Sequence, residues 1–335
     1  MVAHHQNGLT LTLDVQKFPY RKPFRISGHV FTETSVLVAQ LSDGEHTGRG
    51  EGAGVYYLGD DIDHMVAEAQ QAKTAVEACR NREELQQVLP PGGARNAIDC
   101  AFWDLEAKQQ GQPAWKLAGL GSLKPLPSAL TLGADDPAVM AEAALALNPD
   151  APIKVKLTGE VELDKARLKA IRAARETAWI GVDANQGYSA DSLRELVPAL
   201  LENRIALLEQ PLRRGAEGDL DGFKRPLPFV ADESALSLVD TASLVGRYDI
   251  VNIKLDKCGG LTEGLAIARQ ARQLGLGVMV GNMMGTSLSM APSYVLGQFC
   301  DVVDLDGPTF LARDRDPGVT YADGLIHCPR GIWGW

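Results

Sequence analysis

Leu9 to Val15 alternates apolar with other residues, and Ser35 to Leu41 is apolar and β-branched, so both segments predict strands of an antiparallel sheet. Helical periodicity follows from about Ile62 to Cys79 and again from Ala94 to Lys108. The second of these sets Ala94, Ala97, Ile98, Ala101, Phe102 and Leu105 along one face, leaving Asp99 and Asp104 to read as solvated or structural charges. Strands followed by helices predict an α+β domain, and Gly119, Gly121, Pro125 and Pro127 punctuate its end.

Beyond that point the rhythm changes. Short apolar runs recur at Ala129–Leu132, Ile153–Leu157, Trp179–Val182, Ile205–Leu208, Phe229–Ala231, Ile250–Ile253, Val278–Val280 and Val302–Leu305. Helical stretches such as Leu163 to Arg175 and Thr262 to Leu274 lie between them. A repeat of about 25 residues suits one strand, one helix and two loops, and eight such units predict a TIM-like barrel. No motif recurs at that period, which excludes a solenoid. The predicted class is α/β: an α+β capping domain over residues 1–122, a (β/α)7β barrel over 123–308, and a closing segment over 309–335.

Composition narrows the function classes. No apolar run approaches the length of a membrane span, and MVAHHQNGLTLTLDVQ lacks the charged and apolar regions of a secretory signal, so a cytoplasmic location is expected. Five scattered cysteines include no C-x-x-C pair, and the histidines form no metal-ligand pair at helical spacing. A formal net charge of −10 argues against a nucleic-acid partner and leaves small solutes as the expected ligands.

Charged residues fall at the ends of the apolar runs. Lys156 lies in the second, Asp183 ends the third, Glu209 the fourth, Asp232 the fifth and Lys254 the sixth, while Asp304 and Asp306 close the eighth. Carboxyl ends of barrel strands form one face, so these side chains are expected to converge. A single carboxylate after a strand commonly caps the next helix, but capping does not explain three on successive strands, and Glu is a poor cap. Three convergent carboxylates need a counter-charge, and a hard divalent cation with oxygen ligands, Mg²⁺, fits best. Lysines flanking such a cation lose part of their preference for the charged form, which suits Lys156 and Lys254 to proton transfer.

With these positions the chain resembles the enolase superfamily, in its muconate-cycloisomerase-like subgroup. That subgroup places Lys-x-Lys on the second barrel strand, Asp, Glu and Asp metal ligands on the third to fifth, and a lysine on the sixth; here these are Lys154 and Lys156, then Asp183, Glu209 and Asp232, then Lys254. The resemblance implies one Mg²⁺ per site, an ene-diolate intermediate, and Lys154 assisting the substrate carboxylate. Asp304 and Asp306, with the run GNMMGTSLSMAP (281–292), are similar to dipeptide epimerases, where the acidic pair binds an α-ammonium. The implied activity is 1,1-proton transfer at the α-carbon of a small dipeptide. A cycloisomerase or lyase of the muconate cycloisomerase or o-succinylbenzoate synthase type is the alternative, and a catalytically silent barrel a third. The family's cap loops, here about Lys22–Val30 and Gly52–Asp60, set specificity. Ala-Glu epimerases place an arginine a few residues beyond a Pro-Phe pair; here Arg25 directly follows Pro23 and Phe24, with Gly28 and His29 at the later positions. Arg25 is therefore the candidate specificity cation, and Tyr56 and Tyr57 would suit an apolar or aromatic side chain. A homo-oligomer is left open.

Overall fold

The computed structural model describes residues 8–26 and 29–334, without the side chains of residues 24–26 and 29. The expectations for Arg25 and His29 thus lie outside the described side chains, and that for Gly28 outside the described residues.

Three antiparallel strands, β1 (Thr10–Ile26), β2 (His29–Ser42) and β3 (Thr47–Ala53), form the cap sheet in the order β1-β2-β3. Helices α1 (Ile62–Ala78), α2 (Arg82–Leu85), α3 (Gly93–Gln109) and α4 (Ala114–Leu117) follow. Asp61 caps α1 by accepting from the His64 N–H at 2.9 Å. Backbone meets backbone where α3 crosses β3. A Cβ on Gly48, Gly50 or Gly52 would stand 2.2 Å from the carbonyl oxygen of Ala101, Ala97 or Gly93 respectively. Every second residue of the strand thus faces every fourth residue of the helix, and a side chain at any of the three would hold the layers apart.

Because α3 lies between the cap sheet and the barrel, it is buried almost all round. Asp99 and Asp104 are therefore not solvated, as one of the two expectations had it. Asp104 accepts from the Arg49 N–H at 2.9 Å, the Gly334 N–H at 2.8 Å and Lys108 at 2.8 Å. Asp99 accepts from the Thr262 N–H and the Gln86 amide, each at 3.0 Å. Burial pushes the Asp99 carboxyl up to about 6 against the lowering effect of the Thr262 bonds.

A short strand, β4 (Leu126–Pro127), precedes the barrel. The barrel runs β5 (Leu130–Leu132), α5 (Pro137–Ala146), β6 (Ile153–Lys156), α6 (Val161–Ala174), β7 (Ile180–Asp183), α7 (Ala190–Glu202), β8 (Leu207–Glu209), β9 (Phe229–Ala231), β10 (Ile250–Lys254), α8 (Leu255–Cys258), α9 (Leu261–Gln273), β11 (Gly277–Gly281), α10 (Ser287–Gly297) and β12 (Val302–Val303). Strands β5 to β12 lie side by side in chain order, every described pair is parallel, and each coincides with one of the apolar runs. The Ala129 N–H donates to the Val303 carbonyl at 3.0 Å, which joins the last strand to the chain entering the first. The α/β repeat is interrupted on both sides of β9, where 3-10 turns at Glu217–Leu220 and Leu238–Leu244 replace α-helices. The first of these segments carries Gly215, Gly218, Gly222 and Pro226, which disfavour a continuous helix.

After the barrel, β13 (Thr320–Ala322) pairs with β14 (Leu325–His327), which pairs in turn with β4. The chain then runs back to α3, where the Trp333 indole N–H donates to the Cys100 carbonyl at 2.9 Å. All five cysteines are free, and among the described residues no helix is long and apolar enough to cross a membrane.

Candidate active site

Strand register brings the charged residues together. Lys156 is level with Asp183, and Asp183 with Glu209. Glu209 is level with Val230, so Asp232, two residues further on, points to the same interior face. One carboxylate oxygen from each of Asp183, Glu209 and Asp232 lies within 4.8 Å of the others, and all three side chains are buried. Lys254 ends β10 four strands from Lys156 in the row of eight.

Lysines neutralise the cluster. Lys154 lies 2.7 Å from Glu209 Oε2, 2.7 Å from Asp304 Oδ2 and 3.3 Å from Asp183 Oδ2. Lys156 reaches Asp183 at 2.6 Å, Lys254 reaches Asp232 at 2.6 Å, and Lys257 reaches Asp232 at 2.5 Å. Burial pushes the Asp183 carboxyl up, but Lys156 and Lys154 outweigh it and hold the group at about 2. Asp232 is likewise held below the carboxylate range, burial being outweighed by Lys254 and Lys257. Glu209 goes the other way, to about 7, because burial and the charge of Asp183 prevail over Lys154. Burial pulls Lys254 down, yet Asp232 and Glu209 raise it above the usual lysine range.

The donor set fits a hard divalent cation: three buried carboxylates, oxygen atoms only, from three adjacent strands. The Asn252 amide supports it by donating to Glu209 Oε1 at 2.8 Å.

A cavity of about 340 Å³ lies between this face and the cap, lined by Lys154, Lys156, Asp232, Lys254, Asp304 and Asp306 from the barrel and by Phe31, Tyr56, Tyr57 and Ile62 from the cap. Asp304 and Asp306 differ in their commitments. Asp304 Oδ2 accepts from Lys154 at 2.7 Å, while its Oδ1 is buried without a hydrogen-bond partner. Asp306 Oδ2 accepts from the Thr131 N–H at 2.6 Å, and burial together with the charge of Asp304 pushes the Asp306 carboxyl up to about 7. Four residues of the site escaped the sequence reading: Asn252, Lys257, Asn282 and Glu233. Asn252 and Lys257 flank Lys254 in VNIKLDK, whose even spacing to Asn252 was a usable signal. Glu233 lines the cavity directly after Asp232, and burial plus the Asp232 charge pushes its carboxyl up to about 8.

Residues 10–119 match the N-terminal domain of the mandelate racemase / muconate lactonizing enzyme family, and residues 139–332 match the enolase C-terminal domain-like family. An N-acetyl-D-glutamate racemase from Pseudoalteromonas sp is 44% identical over 252 residues, covering 75% of this chain and 79% of that protein. The L-Ala-D/L-Glu epimerase of Escherichia coli is 36% identical over 318 residues, covering 95% of this chain and 99% of its own length. Among solved structures, an enolase family member from Agrobacterium tumefaciens with homology to dipeptide epimerases, with bound sodium and L-Ala-L-Glu, superposes with a TM-score of 0.93 at 40% identity, over 97% of this chain and 100% of that one. Dipeptide epimerases solved with Mg and a dipeptide lie at 25% and 28% identity. The named relatives are racemases and epimerases, not cycloisomerases or lyases. With the barrel, the cap and both domain matches in agreement, the chain belongs to the mandelate racemase / muconate lactonizing enzyme family of the enolase superfamily.

Proposed function

We propose that the chain is a Mg²⁺-dependent dipeptide epimerase, an isomerase that moves the α-proton of the second residue of a small dipeptide from one face to the other. The observation that carries the reading is the placement of Lys156 and Lys254, four strands apart in a row of eight that curls into a barrel, on either side of the three-carboxylate cluster. A substrate held over that cluster meets one ammonium or amine on each face of its α-carbon. One lysine takes the proton as base, and the other, protonated, delivers one to the opposite face. Asp183, Glu209 and Asp232 would hold Mg²⁺, which supplies positive charge to the substrate carboxylate as the ene-diolate develops. Lys154, against Glu209 and Asp304, adds a second fixed positive charge there.

The dipeptide's ammonium would go to Asp304, whose buried Oδ1 lacks a donor. Arg25 is carried as the specificity cation of the cap. The chain divides into a cap (1–122), a barrel (123–308) and a returning segment (309–335), and a cytoplasmic location accords with its free cysteines. A second reading is racemisation of an N-acylamino acid, favoured by the 44% identity to an N-acetyl-D-glutamate racemase. It uses the same proton transfer on a substrate without an ammonium.

The test is incubation in D₂O with Mg²⁺ of L-Ala-L-Glu, of L-Ala paired with apolar or cationic residues, and of N-acetyl-L-Glu, read by mass increase and chirality. Deuterium entering a dipeptide with inversion is expected. Exchange into N-acetyl-L-Glu alone would establish the second reading, and exchange into none would refute both.

A further inference from the structure

Some acceptors in the polar lining of the cavity have no donor. Asp304 Oδ1 and Asn282 Oδ1, at the ends of neighbouring barrel strands, are both buried and without hydrogen-bond partners. The orientation of the Asn282 amide follows from its surroundings, because its nitrogen donates to the Met283 carbonyl at 2.8 Å. Turned over, the amide would set two carbonyl oxygens against each other, so the oxygen is the atom left for a ligand. Asn282 also packs on the segment that carries the acidic pair. Its Nδ2 lies 2.7 Å from the place a Cβ on Gly307 would occupy, so a side chain there would displace the amide.

An ammonium at the acidic pair would meet a partly committed set of acceptors. Such a group brings three N–H donors. Asp306 Oδ2 is engaged by Thr131 at 2.6 Å and Asp304 Oδ2 by Lys154 at 2.7 Å, while Asp304 Oδ1 is uncommitted. The acceptor best placed to share those donors is one that is unpartnered and adds no third negative charge beside two buried carboxyls. The amide oxygen of Asn282 meets both conditions.

We infer that Asn282 is a substrate-binding residue that completes the ammonium subsite with Asp304 and selects dipeptides over N-acylamino acids. This rests on the dipeptide reading above and names the residue that enforces it. An N-acyl group presents no donor at that end, so Asn282 Oδ1 would stay unpaired against it. An ammonium instead supplies Asn282 and Asp304 together.

The test compares L-Ala-X with N-propionyl-X, the same molecule without the ammonium, X being the second residue selected by the D₂O panel. Asn282→Ala is expected to raise KM for the dipeptide about tenfold, as one hydrogen bond to a charged group is lost, with kcat little changed and N-propionyl-X unaffected. Asn282→Ser keeps a neutral acceptor and is expected to retain most of the wild-type preference, which also covers the case of an alanine variant that does not fold. A wild type that turned over N-propionyl-X in preference to the dipeptide would overturn the proposed function, and the ammonium subsite with it. A wild type that prefers the dipeptide, with an Asn282→Ala variant that keeps the preference or loses both substrates equally, would overturn the Asn282 assignment alone.

Discussion

Replacing Lys257 with methionine probes a cation that sequence reasoning passed over. Its ammonium is buried and donates to Asp232 Oδ1 at 2.5 Å, to the Asp232 carbonyl at 2.5 Å and to the Asn252 carbonyl at 3.1 Å. Methionine fills much of the same space and returns none of those bonds. Removing one partner of a buried ion pair costs about 3–5 kcal/mol, because the other charge is left uncompensated. Asp232 retains Lys254 at 2.6 Å, so the low end, about 3 kcal/mol, is expected. A divalent cation on the carboxylate cluster restores part of the missing charge, and the loss should therefore be larger in chelator than in saturating Mg²⁺. Urea unfolding of wild type and Lys257→Met under both conditions gives the four stabilities required. A loss below about 1 kcal/mol in chelator, the size of one neutral hydrogen bond, would refute the argument, as would equal losses with and without the metal.

Lys156→Ala and Lys254→Ala should each abolish interconversion while permitting α-deuterium exchange on at most one epimer, a different one for each variant; NMR showing the same epimer exchanged by both would remove the two-face arrangement. Gly50→Ala should cost more than about 4 kcal/mol or prevent folding, since its Cβ would stand 2.2 Å from the Ala97 carbonyl and 2.7 Å from the Ala101 nitrogen, whereas Gly121→Ala, with open space around it, should stay within about 0.5 kcal/mol in thermal melts. Asp99 sets a pH dependence: its folded value of about 6 lies above the ordinary 3.8, so the native state holds the proton more tightly, and this group's contribution is present below about pH 4 and lost as pH rises through 6. Asp99→Asn should flatten the fall in urea midpoint across that window, and a steeper fall in the variant would contradict the assigned direction.

Barrel strands were legible because each is covered on both faces, which makes it an apolar run, and because the charge ending it interrupts that run. Phe229–Ala231 is only three residues long, yet the Asp232 that follows marks its functional end. Burial of the other charges depends on which layers meet. Asp99 and Asp104 sit on a helix whose pattern implies one wet face, but the barrel covers Asp99 at Thr262, and β3 with the returning C-terminal segment covers Asp104. The Thr-Gly-Arg-Gly-Glu-Gly start of β3 runs against strand propensity, because its glycines answer to the carbonyls of α3 and not to the sheet.

The same reasoning explains why substrate choice was the least legible property. Asp183, Glu209 and Asp232 are fixed by register within one sheet, and register follows from the alternation along each strand. Asn282 lies just past β11 in the run GNMMG, where asparagine reads as an ordinary turn residue. Its meaning comes from two contacts, the Met283 carbonyl that orients its amide and Gly307 that lets it approach the acidic pair. Tyr56 and Tyr57 reach the cavity from a separate domain, so no periodicity relates them to the strand ends they cover. Chemistry common to the barrel is therefore written in strand-end positions. Selectivity depends on loop and cap contacts that arise only when the two sheets are brought together.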